Sequence, residues 1–168
     1  MSHVLLLDTN VWSHLILGDA AQQNKVTTQL AALRLKYPGA ARATSGICVA
    51  ECLVAARRLP DAAVTAHFEA LFWAEFNSAD VNVAAVTPQV LDHAAALRAD
   101  LLKLAARRGS QPAGPDGGRL PLPDAIIAAS CFDFDPPAIL VTENDSDFRY
   151  LEEGVQKTVA GLVVEKVG

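Results

Sequence analysis

Two short apolar runs constrain this chain more than any other feature. Residues 3–7 read HVLLL and residues 138–142 read AILVT. Neither run alternates with polar residues. A strand of that kind is buried on both faces, which is the situation inside a parallel sheet covered by helices. Helix-period segments separate the runs. Residues 22–36 place Val26, Leu30 and Leu33 on one face, with Tyr37 next on that side before Pro38-Gly39 stops the helix. A second helix is expected from Val49 to Arg58. A third starts at Leu59-Pro60-Asp61 and carries Val64, Phe68, Leu71, Phe72 and Phe76 on its apolar side. A long one opens at Thr87-Pro88, a capping residue followed by proline at the first helical position, and runs to Arg108. A short apolar helix spans Asp124 to Phe132. Further strands are expected over 43–48, 81–86 and 161–167. Strands alternating with helices predict an α/β domain with a mainly parallel sheet. The length of 168 residues suits one domain over 1–168, interrupted by a Gly/Pro-rich loop over 109–123.

Composition narrows the class. With 51% hydrophobic and 20% charged residues, the chain is not predominantly disordered. No apolar run approaches the roughly 18 residues of a membrane span. The opening MSHVLLLDTN lacks a basic region, and Asp8 ends its apolar stretch, so a signal peptide is not expected. These features predict a cytoplasmic protein in a reducing compartment. Cys48, Cys52 and Cys131 then read as small buried apolar residues, and none of His3, His14, His67 or His93 completes a zinc-type ligand pair. The net charge of −5 argues against a general nucleic-acid coat. Where the acids sit matters more than their number.

Asp8 follows the first apolar run, and Asp145 and Asp147 follow the strand ending at Thr142. In open α/β sheets, ligands bind beyond the carboxyl ends of the strands. Asp124 opens a helix just after the Gly/Pro loop, and Glu51 sits in the strongly apolar ICVAECLVAA, where a buried lone charge is costly. Singly, each acid has an ordinary alternative. Asp8 and Asp124 would serve as helix caps, Asp145 and Asp147 as turn residues, and Glu51 could face outward. Brought together they would repel one another. A hard divalent cation, Mg²⁺ or Mn²⁺, offsets such repulsion and also engages phosphate.

LLLDTN at the start, Ser45-Gly46 with Glu51 following, LPDAIIAAS around Asp124 and LVTENDSDF around Asp147 resemble the four acidic motifs of the PIN-domain family, in order and in spacing. The resemblance implies a Rossmann-like three-layer α/β/α fold with a central, mainly parallel sheet. It implies a Mg²⁺- or Mn²⁺-dependent ribonuclease holding one or two ions. Many bacterial members are VapC-like toxins, so it also points to an RNA substrate, a cognate antitoxin of a VapBC-type pair and a homodimer. Carried over position by position, Asp8, Glu51 and Asp124 match the first three acids. Thr9 and Asn10 match the small polar pair, and Thr142 the hydroxyl residue of the last motif. Asn144 stands where many members carry Asp. Asp147 is the expected fourth acid, with Asp145 as its substitute. Thr9, Asn10, Thr142 and Asn144 would then orient carboxylates and water.

Arg119, just before Asp124, is the expected RNA contact, whereas Arg57-Arg58 and Arg107-Arg108 suit helix C-termini. Trp12 and Trp73 suit either base stacking or, more simply, the core. The Phe68, Leu71, Phe72 and Phe76 stripe also reads as core, and any exposed part would suit a dimer or antitoxin surface. Two other functions fit parts of the pattern. A non-catalytic PIN-like module binding RNA or protein would have no reason to keep the acids together. A haloacid-dehalogenase-type phosphohydrolase would carry a second Asp two residues after Asp8, where this chain has Asn10, and no obvious catalytic Lys motif follows.

Overall fold

A computed structural model describes residues 3–107, 120–152 and 155–168. Five strands form one parallel sheet: β1 (Val4–Leu7), β2 (Ala41–Ser45), β3 (Val81–Ala84), β4 (Ile139–Thr142) and β7 (Val164–Lys166), in the order β3-β2-β1-β4-β7. Both apolar runs behave as their pattern requires. Leu6 and Leu140 point to one face, and Leu5, Leu7, Ile139 and Val141 to the other, all buried. The first face is covered by α5 (Pro88–Arg107) and α6 (Leu122–Ser130), and the second by α1 (Thr9–Ile16), α2 (Ala20–Lys36) and α4 (Ala62–Phe76). The result is the expected three-layer α/β/α arrangement. α3 (Gly46–Arg57) gives Cys48 to one core and Cys52, Leu53 and Ala56 to the other, so its apolar residues surround most of the helix.

Several boundaries differ from the sequence expectation, some for a local reason. The second strand is Ala41–Ser45, and the third helix already starts at Gly46. α2 starts at Ala20 because Asp19 and Gln22 close a reciprocal capping box. α6 begins at Leu122, with Pro123 in its first turn. The last strand is shortened to Val164–Lys166, since Val159–Gly161 forms a 3-10 turn. An antiparallel hairpin of β5 (Arg149–Glu152) and β6 (Val155–Thr158) was not anticipated.

The aromatic stripe of α4 divides. Phe72 and Phe76 are buried, and Phe76 meets buried Trp12 edge-on at 5.3 Å. Trp73 and Leu71 are exposed, which corrects the core reading for both. The three cysteines are buried and free, as expected. Burial pushes the Cys48 thiol up to about 12 and those of Cys52 and Cys131 higher still. The position of Arg119, with most of the Gly/Pro loop, lies outside the described residues.

The chain builds β2 and β3 on one side of β1 and then crosses to place β4 and β7 on the other. The strand order therefore reverses between β1 and β4. Such a switch point opens a crevice beyond the carboxyl ends of the two strands. β1 ends in Leu7-Asp8, and β4 ends in Thr142.

Candidate active site

Asp8 stands at the mouth of that crevice and is only 5% exposed. Its backbone N–H continues the sheet by donating to Val141 O at 3.0 Å, while its own carbonyl accepts from Trp12 N–H, opening α1. Its side chain accepts from Thr9 N–H at 2.6 Å, so Asp8 is indeed the cap of α1. The other carboxylate oxygen accepts from the Thr142 hydroxyl at 2.7 Å. Capping and a place in the cleft are compatible, because the helix starts at the strand end.

Glu51 comes from α3. The Thr9 hydroxyl donates to its Oε2 at 2.5 Å, which turns it inward to the cleft and not out to solvent. Asp124 lies in the first turn of α6, where the helix dipole favours an acid. Asp8, Glu51 and Asp124 line one open cleft of about 730 Å³, together with Thr9, Asn10, His14 and Arg58. Asn10 bridges the two central strand ends: its Nδ2 is 3.4 Å from Thr142 Oγ1, and its Oδ1 accepts from Glu143 N–H at 3.3 Å.

The residues after β4 resolve into two groups. Asp145 forms ion pairs with Arg149 at 3.0 Å and Lys166 at 2.9 Å, so its charge is already compensated. Asp147 is close enough for its charge to act on Asp8. The Asn144 side chain donates to Asp147 Oδ2, and the Asn144 backbone N–H donates to Thr142 Oγ1 at 3.1 Å. The Asn that replaces the expected acid thus steers Asp147.

Burial raises the Asp8 carboxyl above the usual carboxylate value. The bonds from Thr142 and Thr9 oppose that rise, while the charges of Glu51 and Asp147 add to it. Neither Asp8 nor Glu51 has a cationic partner among the described residues. Nor are three or more His, Cys, Asp or Glu side chains among the described residues grouped closely enough to hold a metal ion together. An open set of hard oxygens is nonetheless what Mg²⁺ and Mn²⁺ accept. Such ions keep several waters and take one or two carboxylates directly, completing their shell with phosphate. On this chemistry the residues fit a hard divalent cation.

The family model of the PIN domain matches residues 5–154. The chain belongs to the PIN domain family. No curated relative matches it at the level of sequence. Among solved structures, this PIN domain is similar to a chain of VapBC2 from Rickettsia felis bound to a DNA fragment of its promoter, with 16% identity over 98% of this chain and 99% of that one and a TM-score of 0.61. It is also similar to a chain of DNA-bound VapBC from Salmonella typhimurium, with 19% identity, 98% of each chain covered and a TM-score of 0.60. A third similarity is to FitAcB from Neisseria gonorrhoeae, with 20% identity, 96% of each chain covered and a TM-score of 0.58. At these identities the likeness is one of fold.

Sequence reasoning passed over Glu143, weighed His14 only as a zinc ligand, and read Arg58 as a helix C-terminal cation, whereas His14 and Arg58 line the cleft. His14 was detectable in part, since it lies four residues after Asn10 and so shares its helix face. Glu143 follows Thr142 directly, but its partner is 129 residues away and nothing local marks the pair. Trp12 is buried and does not reach the cleft surface.

Proposed function

We propose that this PIN domain is a metal-dependent endoribonuclease, the toxin of a VapBC-type pair. The observation that carries this reading is the convergence of Asp8, Glu51 and Asp124 on one cleft at the strand-order switch, with Asp8 buried, repelled by neighbouring carboxylates and without a cation of its own. A protein that only bound a partner would gain nothing from that repulsion. Asp8, Glu51, Asp124 and Asp147 would hold one or two Mg²⁺ or Mn²⁺ ions. A bound divalent cation supplies Lewis acidity toward a phosphoryl oxygen and makes coordinated water more acidic. The chain's own residues do the positioning. Thr142 and the Thr9 N–H fix the two oxygens of Asp8, the Thr9 hydroxyl fixes Glu51, and Asn144 fixes Asp147. Arg58, on the cleft wall, supplies positive charge for an RNA phosphate, and Arg119 is proposed as a second such contact.

The solved VapBC and FitAcB similarities support an antitoxin as partner. Val64, Leu71 and Trp73 leave apolar surface exposed along α4, suited to such a partner or to a second copy in a homodimer. No helix among the described residues is long and apolar enough to cross a membrane. The direct test is incubation of the purified protein with structured RNA, first with Mn²⁺ and then with EDTA. Cleavage only with Mn²⁺ is expected. Cleavage in both conditions, or in neither, refutes the reading.

A further inference from the structure

His14, on the cleft wall, pairs with Glu143, and the acid site leaves this pair unused. Nδ1 of His14 is 2.5 Å from Glu143 Oε1, with the two side chains 32% and 22% exposed. Glu143 is fixed from behind, since its backbone N–H donates to Asn10 Oδ1. Asn10 and His14 lie about one turn apart on α1, four residues or about 6 Å along the helix. A continuous polar chain therefore runs from Asp8 through Thr142, Asn10 and Glu143 to His14. Nε2 of His14 has no protein partner among the described residues. The charged groups sharing the cleft with His14 are Asp8, Glu51 and Arg58 from α3, and Asp124 from α6.

An imidazole held by a carboxylate through one ring nitrogen is fixed in orientation and presents the other for proton transfer. We propose that His14, oriented by Glu143, is the proton donor to the leaving oxygen of the cleaved phosphodiester. The inference rests on the nuclease reading above. As water attacks, the new O–P bond forms and the bond to the leaving oxygen breaks. That oxygen keeps the electron pair and takes the proton from Nε2, and the neutral ring regains the proton that the attacking water releases.

The test compares two substrates in the presence of Mn²⁺. One is a mixed-sequence oligoribonucleotide, whose leaving alkoxide needs a proton. The other is bis(p-nitrophenyl) phosphate, whose leaving group departs unprotonated. Proton donation contributes about 10²- to 10⁴-fold. His14→Gln is expected to slow RNA cleavage by about 100-fold or more, and the nitrophenyl ester by no more than roughly threefold. Glu143→Gln, which keeps the shape of the pair, is expected to show the same split at smaller amplitude. If the wild type cleaves neither substrate, the nuclease reading falls and this inference with it. If the wild type cleaves both and the variants affect the two substrates alike, the nuclease reading stands and the proton donor is refuted.

Discussion

Replacing Thr142 tests how the fold holds a buried carboxylate. The side chain is fully buried, and its hydroxyl donates to Asp8 Oδ2 at 2.7 Å. Thr142→Val keeps the shape and deletes the hydroxyl. A hydrogen bond to a charged group is worth about 1.5–3 kcal/mol. The hydroxyl also accepts from the Asn144 N–H, but Asn144 is exposed and water can replace that bond. The expected loss is therefore about 2–3 kcal/mol. Thr142→Ser keeps the hydroxyl and deletes one buried methyl, a loss of about 0.8 kcal/mol. For a chain of this size each kcal/mol lowers Tm by about 2–4 °C, so the Val variant should melt about 4–12 °C below the wild type and the Ser variant about 2–3 °C below. The gap must also depend on pH with a definite sign. Asp8 has a folded pKa raised above its ordinary value, so its ionisation removes stability as pH rises through that pKa. Without the Thr142 bond the pKa rises further. The Val deficit should thus be largest near neutral pH and shrink on acidification. Melting by circular dichroism between pH 4 and 8, in EDTA, measures both. Equal Val and Ser variants, or a gap that widens in acid, would refute the account of Asp8.

Five further outcomes follow from the same structure. Asp8→Asn and Asp124→Asn should each lower RNA cleavage by at least about 100-fold while the protein stays folded. Mn²⁺ at about 100 times its dissociation constant should stabilise the wild type by about 2.7 kcal/mol, an upward Tm shift absent from Asp8→Asn and reversed by EDTA. Phe72→Ala, at a fully buried ring stacked 5.8 Å from Phe76, should cost about 3–5 kcal/mol in urea unfolding. Glu69→Ala, which breaks the exposed pair with Arg57, should cost less than about 1 kcal/mol. The three cysteines should be inert to a thiol reagent in the native protein and react together on unfolding, because burial holds each thiol protonated. Rapid native reaction at any one would contradict its packing.

What could be read from the residues depended on how local the cause is. β1 and β4 were legible because burial on both faces leaves an unbroken apolar run. Asp8 was legible because a strand end next to a helix start is itself a local event. β2 was harder. Its sequence ARATS is half polar, and it is a strand because β1 and β3 pair with it on either side, while Arg42 finds Glu75 on α4. The β5–β6 hairpin, with RYLE facing VQKT, carries no apolar alternation to announce it. α3 hides its direction, since apolar residues serve two cores and only Glu51 marks the side that faces the cleft.

The acid excess makes the same point in electrostatic terms. From the sequence, Asp145 and Asp147 are two acids of one loop, two positions apart, and either suits the fourth position. The fold separates them. Asp145 is neutralised by Arg149 and Lys166, whereas Asp147 is turned by Asn144 and acts on Asp8. A carboxylate already sharing two cations has little charge left to offer a third. The distinction lies in Lys166, on the last strand, and in Thr142, at the end of the strand beside it. Two neighbouring acids thus make different contacts, and no local spacing encodes them.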